Sequence, residues 1–401
     1  MPTFWAVLGI TVLAAGLLDV FLTALNYDES GFLAIQLCTL QWRCFRVITR
    51  RLSRRWRSIA LRQVTGLNIM LSIVIWLGSV ILGYGLIYYS QMSGANFQYD
   101  GRGLSAGLFS ALYFSAAQLA TVGTSQISPE TNALRVLSVL ETLTGVALVT
   151  LILSFLFGVY QVVRDLRALS SNFTTHTRNG DDLVGSIAPY FFQGEPICLD
   201  NHLRAISENF WSYADGLRQH NLAYYFHSGR EQFSLPYVLL MLGQWLAALR
   251  WGLPSMHPAS VQPILMRLSS QFERFVDYLY GQLAWATGAV PTAVSIEYFS
   301  AAYHAGHDPS DPWLGRFLRL NRDMAQLALL DCDAGPQEAY ARYEQWLPFA
   351  YRVNEMTTAV SQDLDYQQTI HRGDDDHTAI PGPVTRFHQV TGGELPNRIS
   401  A

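Results

Sequence analysis

An all-α membrane protein is the fold this sequence predicts: three transmembrane helices, one shorter re-entrant helix, and a helical cytoplasmic domain after them. Three observations lead there. Apolar runs near residues 4–25, 67–88 and 136–160 each approach or exceed the roughly 20 residues a membrane-spanning helix needs. Only 14% of the 401 residues are charged, against roughly 25% in ordinary soluble domains. Beyond residue 165, helix-like runs alternate with Gly and Pro breaks, as in a packed helical domain.

The first span has no basic residue before Arg43 and is longer than a signal-peptide core, so it reads as a retained helix. Asp19 near its end is expected to pair with a downstream arginine or to reach the interface. All basic residues are arginines, and eight of them fall between the first two spans: Arg43, Arg46, Arg50, Arg51, Arg54, Arg55, Arg57 and Arg62. The positive-inside rule places this segment in the cytoplasm, the N-terminus outside, and residues 90–133 outside or re-entrant. Arg164 and Arg167, just after the third span, agree with that topology. Trp42, Phe45, Val47, Ile48, Leu52 and Trp56 interleave with the arginines. Their spacing suggests an amphipathic helix whose Arg50, Arg51, Arg54, Arg55 and Arg57 face anionic lipid; a plain topology anchor is the other reading.

The run Leu104–Ala120 is too short for a full span and precedes a Gly-containing turn, which suits a re-entrant helix. Farther on, helix-like runs fall at Leu199–Leu222, Leu235–Arg250, Ser260–Trp285 and Pro336–Leu347. Their aromatic residues imply a packed core, and Tyr237–Leu249 is too short to be a fourth span. The division expected is 1–63 (first helix and Arg-rich loop), 64–163 (membrane core), 164–365 (helical domain) and 366–401 (a tail of disordered composition).

Residues 108–161 carry the functional signal. Tyr113-Phe114 lie in the re-entrant helix, Thr121-Val122-Gly123 follow it, and Pro129, Thr131, Arg135 and Gly145 come after with no gap. This ordered set resembles the pore of tetrameric potassium channels, with a pore helix, a filter of the T-V-G-Y-G-D type and an inner helix bearing a hinge glycine. The resemblance covers about 55 residues and implies a two-helix pore with an extra N-terminal helix, assembled as a homotetramer in the cell's inner membrane. It implies a filter of Thr121, Val122, Gly123, Thr124 and Ser125 passing potassium or another monovalent cation, with no cofactor. In such a filter, backbone carbonyls from four chains replace an ion's hydration shell.

Three departures from the family pattern fall in the filter's outer half, and one precedes it. Thr124 replaces an aromatic, Ser125 a glycine and Gln126 an aspartate, while Ala117 stands where some members have a glutamate. Weaker potassium selectivity is therefore expected. Glu141 in the inner helix is expected either to face the back of the filter or to bond Thr121 or Ser115, as a structural hydrogen bond to the pore helix or as a titratable or ion-attracting gate element. Gly145 reads as a hinge or a close-packing point, and Gly158 as packing.

No GxGxxG, P-loop, HExxH or GxSxG occurs, so neither an enzyme nor a nucleotide-binding domain is expected, and nothing points to nucleic acid. His304, His307 and Asp308 read as a turn and His371–His377 as a solvated run; no metal site is assigned. Cys38, Cys44, Cys198 and Cys332 form no metal or redox spacing and read as free thiols. The helical domain's ligand is not legible. A non-conducting sensor that reuses the pore fold is the alternative to a channel.

Overall fold

The computed structural model describes residues 2–25, 32–51, 54–100, 105–124, 126–173, 183–228, 230–283, 288–305, 309–329 and 335–366. It is an all-α membrane protein, with two short two-stranded ladders that the sequence pattern did not announce. The chain divides into two compact units, 1–169 with 209–235, and 170–208 with 236–401. A linear boundary at 163 does not anticipate that residues 209–235 group with the membrane unit.

In the first unit, α1 (Pro2–Leu25), α2 (Phe32–Arg50) and α3 (Arg54–Gln91) lead to β1 (Phe97–Tyr99). The re-entrant helix α4 (Leu108–Leu119) follows, then β2 (Ile127–Pro129) and the long α5 (Asn132–Ser171). Among the described residues, α1, α3 (from Gln63) and α5 are long and apolar enough to cross a membrane. Small residues let α1 and α3 approach closely. A Cβ at Gly9 would lie 2.7 Å from the Gly83 carbonyl, and one at Gly16 only 2.3 Å from Ser79 Oγ. That is how helices associate where lipid provides no hydrophobic drive. At this seam Asp19 is buried and accepts a 2.9 Å hydrogen bond from the Trp76 indole, an intramembrane partner the sequence did not suggest.

The Arg-rich segment is not one amphipathic helix. Arg50 ends α2, Arg51 is an exposed turn residue, and Arg54, Arg55 and Arg57 stand at the start of α3. Nor does Trp42 face lipid: it is 3% exposed, packed with Leu61 and Val64 of α3 and with Tyr225, whose ring centroid lies 5.6 Å away. Leu61 and Val64, three residues apart, form one apolar stripe that covers it. Trp56, Val47 and Ile48 are exposed.

The second unit holds α6 (Leu183–Ile187), the ladder of β3 (Phe191–Phe192) with β4 (Glu195–Pro196), and the first part of α7 (Leu199–Gln219). It continues with α8 (Leu235–Trp251), α9 (Pro263–Leu283), α10 (Ile296–Ala305), α11 (Pro312–Leu327) and α12 (Pro336–Asp363). Helix α11 begins at the end of a proline-containing segment, 309–312. Pro312 sits in its first turn, where no amide is needed, and the Asp311 side chain caps the Leu314 amide at 2.7 Å. Helix α12 runs on through Pro348. Trp245, Phe272, Phe275, Phe299, Phe317 and Tyr343 form much of the core.

Candidate functional site: the turn after the re-entrant helix

Helix α4 is set by its buried face. Phe114 is fully buried, with ring centroids 4.9 Å from Tyr88 and 5.7 Å from Phe97, both edge-on. A Cβ at Gly85 of α3 would meet Leu112 at 2.6 Å, so α3 and α4 touch there. Phe109 and Tyr113, one turn apart, are exposed, so the aromatic pair Tyr113-Phe114 splits between surface and core.

Three consecutive amides turn back after α4 ends. Thr121 N–H donates to the Gln118 carbonyl, and the N–H groups of Val122 and Gly123 both donate to that of Ala117, each at 3.0 Å. Thr121 (φ 58°) and Gly123 (φ 68°) are left-handed, while Val122 between them is not. In such an alternation, successive N–H groups project to one side and the carbonyls to the other. The carbonyls of 121–123 accept no hydrogen bond among the described residues. A positive φ at a β-branched residue is an outlier of about 1–3 kcal/mol, found mainly where function demands it. The negative end of the α4 dipole lies at this turn and favours a cation there. Position 117 thus contributes through its main chain, a role no side-chain pattern could reveal.

The outer half is fastened elsewhere. Thr124 Oγ1 donates to the Ile127 carbonyl at 3.1 Å. β2 pairs antiparallel with β1, Tyr99 opposite Ile127 and Phe97 opposite Pro129. Two further main-chain bonds extend the ladder, from Asp100 N–H to Gln126 O and from Glu130 N–H to Asn96 O, both 2.9 Å. The Gln126 side chain is exposed; Ser125 lies outside the described residues. Asn96 and the β1 residues were not singled out in the sequence, because a three-residue strand has too little pattern to register.

Behind the turn, α5 presses on α4. Glu141 is fully buried, with Oε1 2.5 Å from Ser115 Oγ, which also lies 3.0 Å from the Ile81 carbonyl. Of the partners considered for Glu141, it meets Ser115, and Tyr88 is its other polar neighbour. Thr142 Oγ1 reaches the Gln118 carbonyl at 3.3 Å, and the Tyr84 hydroxyl lies 3.1 Å from Thr144 Oγ1. A Cβ at Gly145 would sit 2.2 Å from the Leu119 carbonyl, so this glycine is a point of close packing in an unbroken helix. Gly158 is similarly close to the His220 ring. Arg51 is exposed; the side chains of Arg50, Arg54, Arg55 and Arg57, together with His307, Asp308 and the tail from 367, lie outside the described residues.

A short helix, an alternating turn and two flanking spans define a pore-type membrane domain. Residues 70–161 match the family model described as "Ion channel", and the chain carries a two-helix ion-channel pore domain. It is also similar to the protein called "Uncharacterized membrane protein YdjJ" of Bacillus subtilis (strain 168), with 23% identity over 282 residues, 69% of this chain and 77% of that one. No solved structure matches.

Proposed function

We propose that four copies of this chain surround a common axis in the cell's inner membrane and conduct potassium, or monovalent cations more broadly, between carbonyl rings of Thr121, Val122 and Gly123. The back-bonding of three successive amides onto the end of α4 carries this reading, because it leaves the carbonyls of the same residues free to replace an ion's water.

Exposure supports assembly. Val122 is 80% exposed in a single chain, and a side chain at 123 would meet open space. Irregular backbone is tolerated at membrane depth only where it is walled by protein or lines a wet path, and neighbouring copies would provide both. Exposed Phe109 and Tyr113 on α4 would then pack against a neighbour. With Thr124 bonded to Ile127 in place of an aromatic brace, the outer rings are looser than in a TVGYG filter and potassium selectivity is weaker. The N-terminus lies outside and the second unit is cytoplasmic, with the arginines of 43–62 against inner-leaflet lipid.

Recording from the purified protein in planar bilayers tests this. Wild type should pass potassium with a smaller preference over sodium than TVGYG channels show, and Gly123→Asp should pass no current. A current that survives Gly123→Asp, a monomer in both detergent and lipid, or silence across voltage, calcium and pH would overturn it, the last in favour of a sensor.

A further inference from the structure

Arg316 in α11 is 8% exposed, yet no carboxylate or carbonyl accepts from its guanidinium among the described residues. Its contact is with a ring, the guanidinium carbon lying 4.8 Å from the Trp313 centroid. Burial, helped by the charge of Arg319, pushes its pKa down to about 10, which leaves it a cation at neutral pH. A largely buried guanidinium with no counter-ion is poised to take an anion, and an arginine keeps its charge at neutral pH.

A small cavity of about 60 Å³ opens beside it in the second unit and widens toward solvent. Arg316 lines the cavity with Gln244 of α8 and Asn354 of α12, and neither side-chain amide has a hydrogen-bond partner among the described residues. Trp313, Trp346 and Leu240 supply apolar walls. Polar residues from three helices therefore line one space that is otherwise greasy. A guanidinium fork matches a carboxylate's two oxygens, neighbouring amides can add further bonds, and indole and leucine walls take a short hydrocarbon body.

We infer that this cavity is a binding site for a small organic carboxylate, its head group held by Arg316, Gln244 and Asn354 and its apolar part between Trp313, Trp346 and Leu240. The site lies wholly within the second unit, and the inference stands apart from the conduction reading.

Thermal unfolding of the full-length protein in detergent, followed with sodium butyrate or sodium benzoate against sodium chloride at equal ionic strength, tests it. Both carboxylates should raise the midpoint saturably, since a ligand that binds only the folded state stabilises it; chloride should not. In Arg316→Met the carboxylate shift should fall at least about fivefold, while the ligand-free midpoint equals or exceeds wild type because an unpaired buried charge has been removed. Asn354→Leu should keep the fold and weaken the shift at least about threefold. No carboxylate shift in wild type, an equal effect of chloride, or an unchanged shift in Arg316→Met would each overturn the inference. So would an Arg316→Met protein that is destabilised or fails to fold, since the arginine would then be structural.

Discussion

The Leu119 carbonyl occupies the space a side chain at Gly145 would fill: a Cβ there would stand 2.2 Å from that oxygen. The end of α4, which receives the amides of the turn, is thereby seated directly on the backbone of α5. Gly145→Ala should force the two helices apart and destabilise the fold by about 1–3 kcal/mol, as overpacking does. Unfolding in detergent checks the stability, and bilayer recording should show a smaller or less stable unitary current. Wild-type behaviour in both would mean that the contact yields freely.

Ser115 and Glu141 form the second tie between these helices. A double-mutant cycle of Ser115→Ala and Glu141→Gln should return a coupling of about 0.5–3 kcal/mol, the range for residues in direct contact. Additivity within about 0.3 kcal/mol would show that the two groups do not support one another.

The Thr124 hydroxyl holds the outer turn to Ile127. Thr124→Val keeps the shape and removes the donor, at about 0.5–1.5 kcal/mol. If the conduction reading is right, potassium-to-sodium permeability should fall further while the protein still assembles. An unchanged ratio would place the selectivity determinant elsewhere.

Acid should weaken the second unit through its histidines. Burial holds the imidazoles of His202 and His257 below their ordinary value. A depressed imidazole is neutral in the fold but takes a proton on unfolding once the pH drops below about 6.5. Their contribution is therefore intact above that value, declines as the pH falls from it, and stops declining below the folded-state pKa. The thermal midpoint should drop between pH 7.5 and 5.5, and His202→Gln should flatten the slope. An unaltered slope would remove His202 from the account.

Much of this architecture could be read from the chain because membrane helices announce themselves by length and polarity. The three spans fall where the apolar runs lie, although α3 and α5 extend beyond them to Arg54 and Ser171. Extension is natural where a helix leaves the apolar layer and its backbone bonds simply continue. Trp42 was misread because amphipathic spacing tells which face is apolar but not what covers it; here Leu61, Val64 and Tyr225 do. At the site, Thr121-Val122-Gly123 stood out by residue type, whereas Ala117 and Leu119 act through carbonyls that any residue carries. The cavity at Arg316 was invisible for a related reason: Gln244, Arg316 and Asn354 are far apart in the chain and share no motif.

The loop from Thr121 to Ile127 is moored at both shores, by amides on the end of α4 and by the ladder of β2 with β1. The Thr124 hydroxyl adds a third line, to Ile127, so the described part of the loop is held from both sides. The outer mooring follows α3 by only a few residues. Helix α3 also touches α4 at Gly85 and Leu112, so the same helix stands behind both moorings.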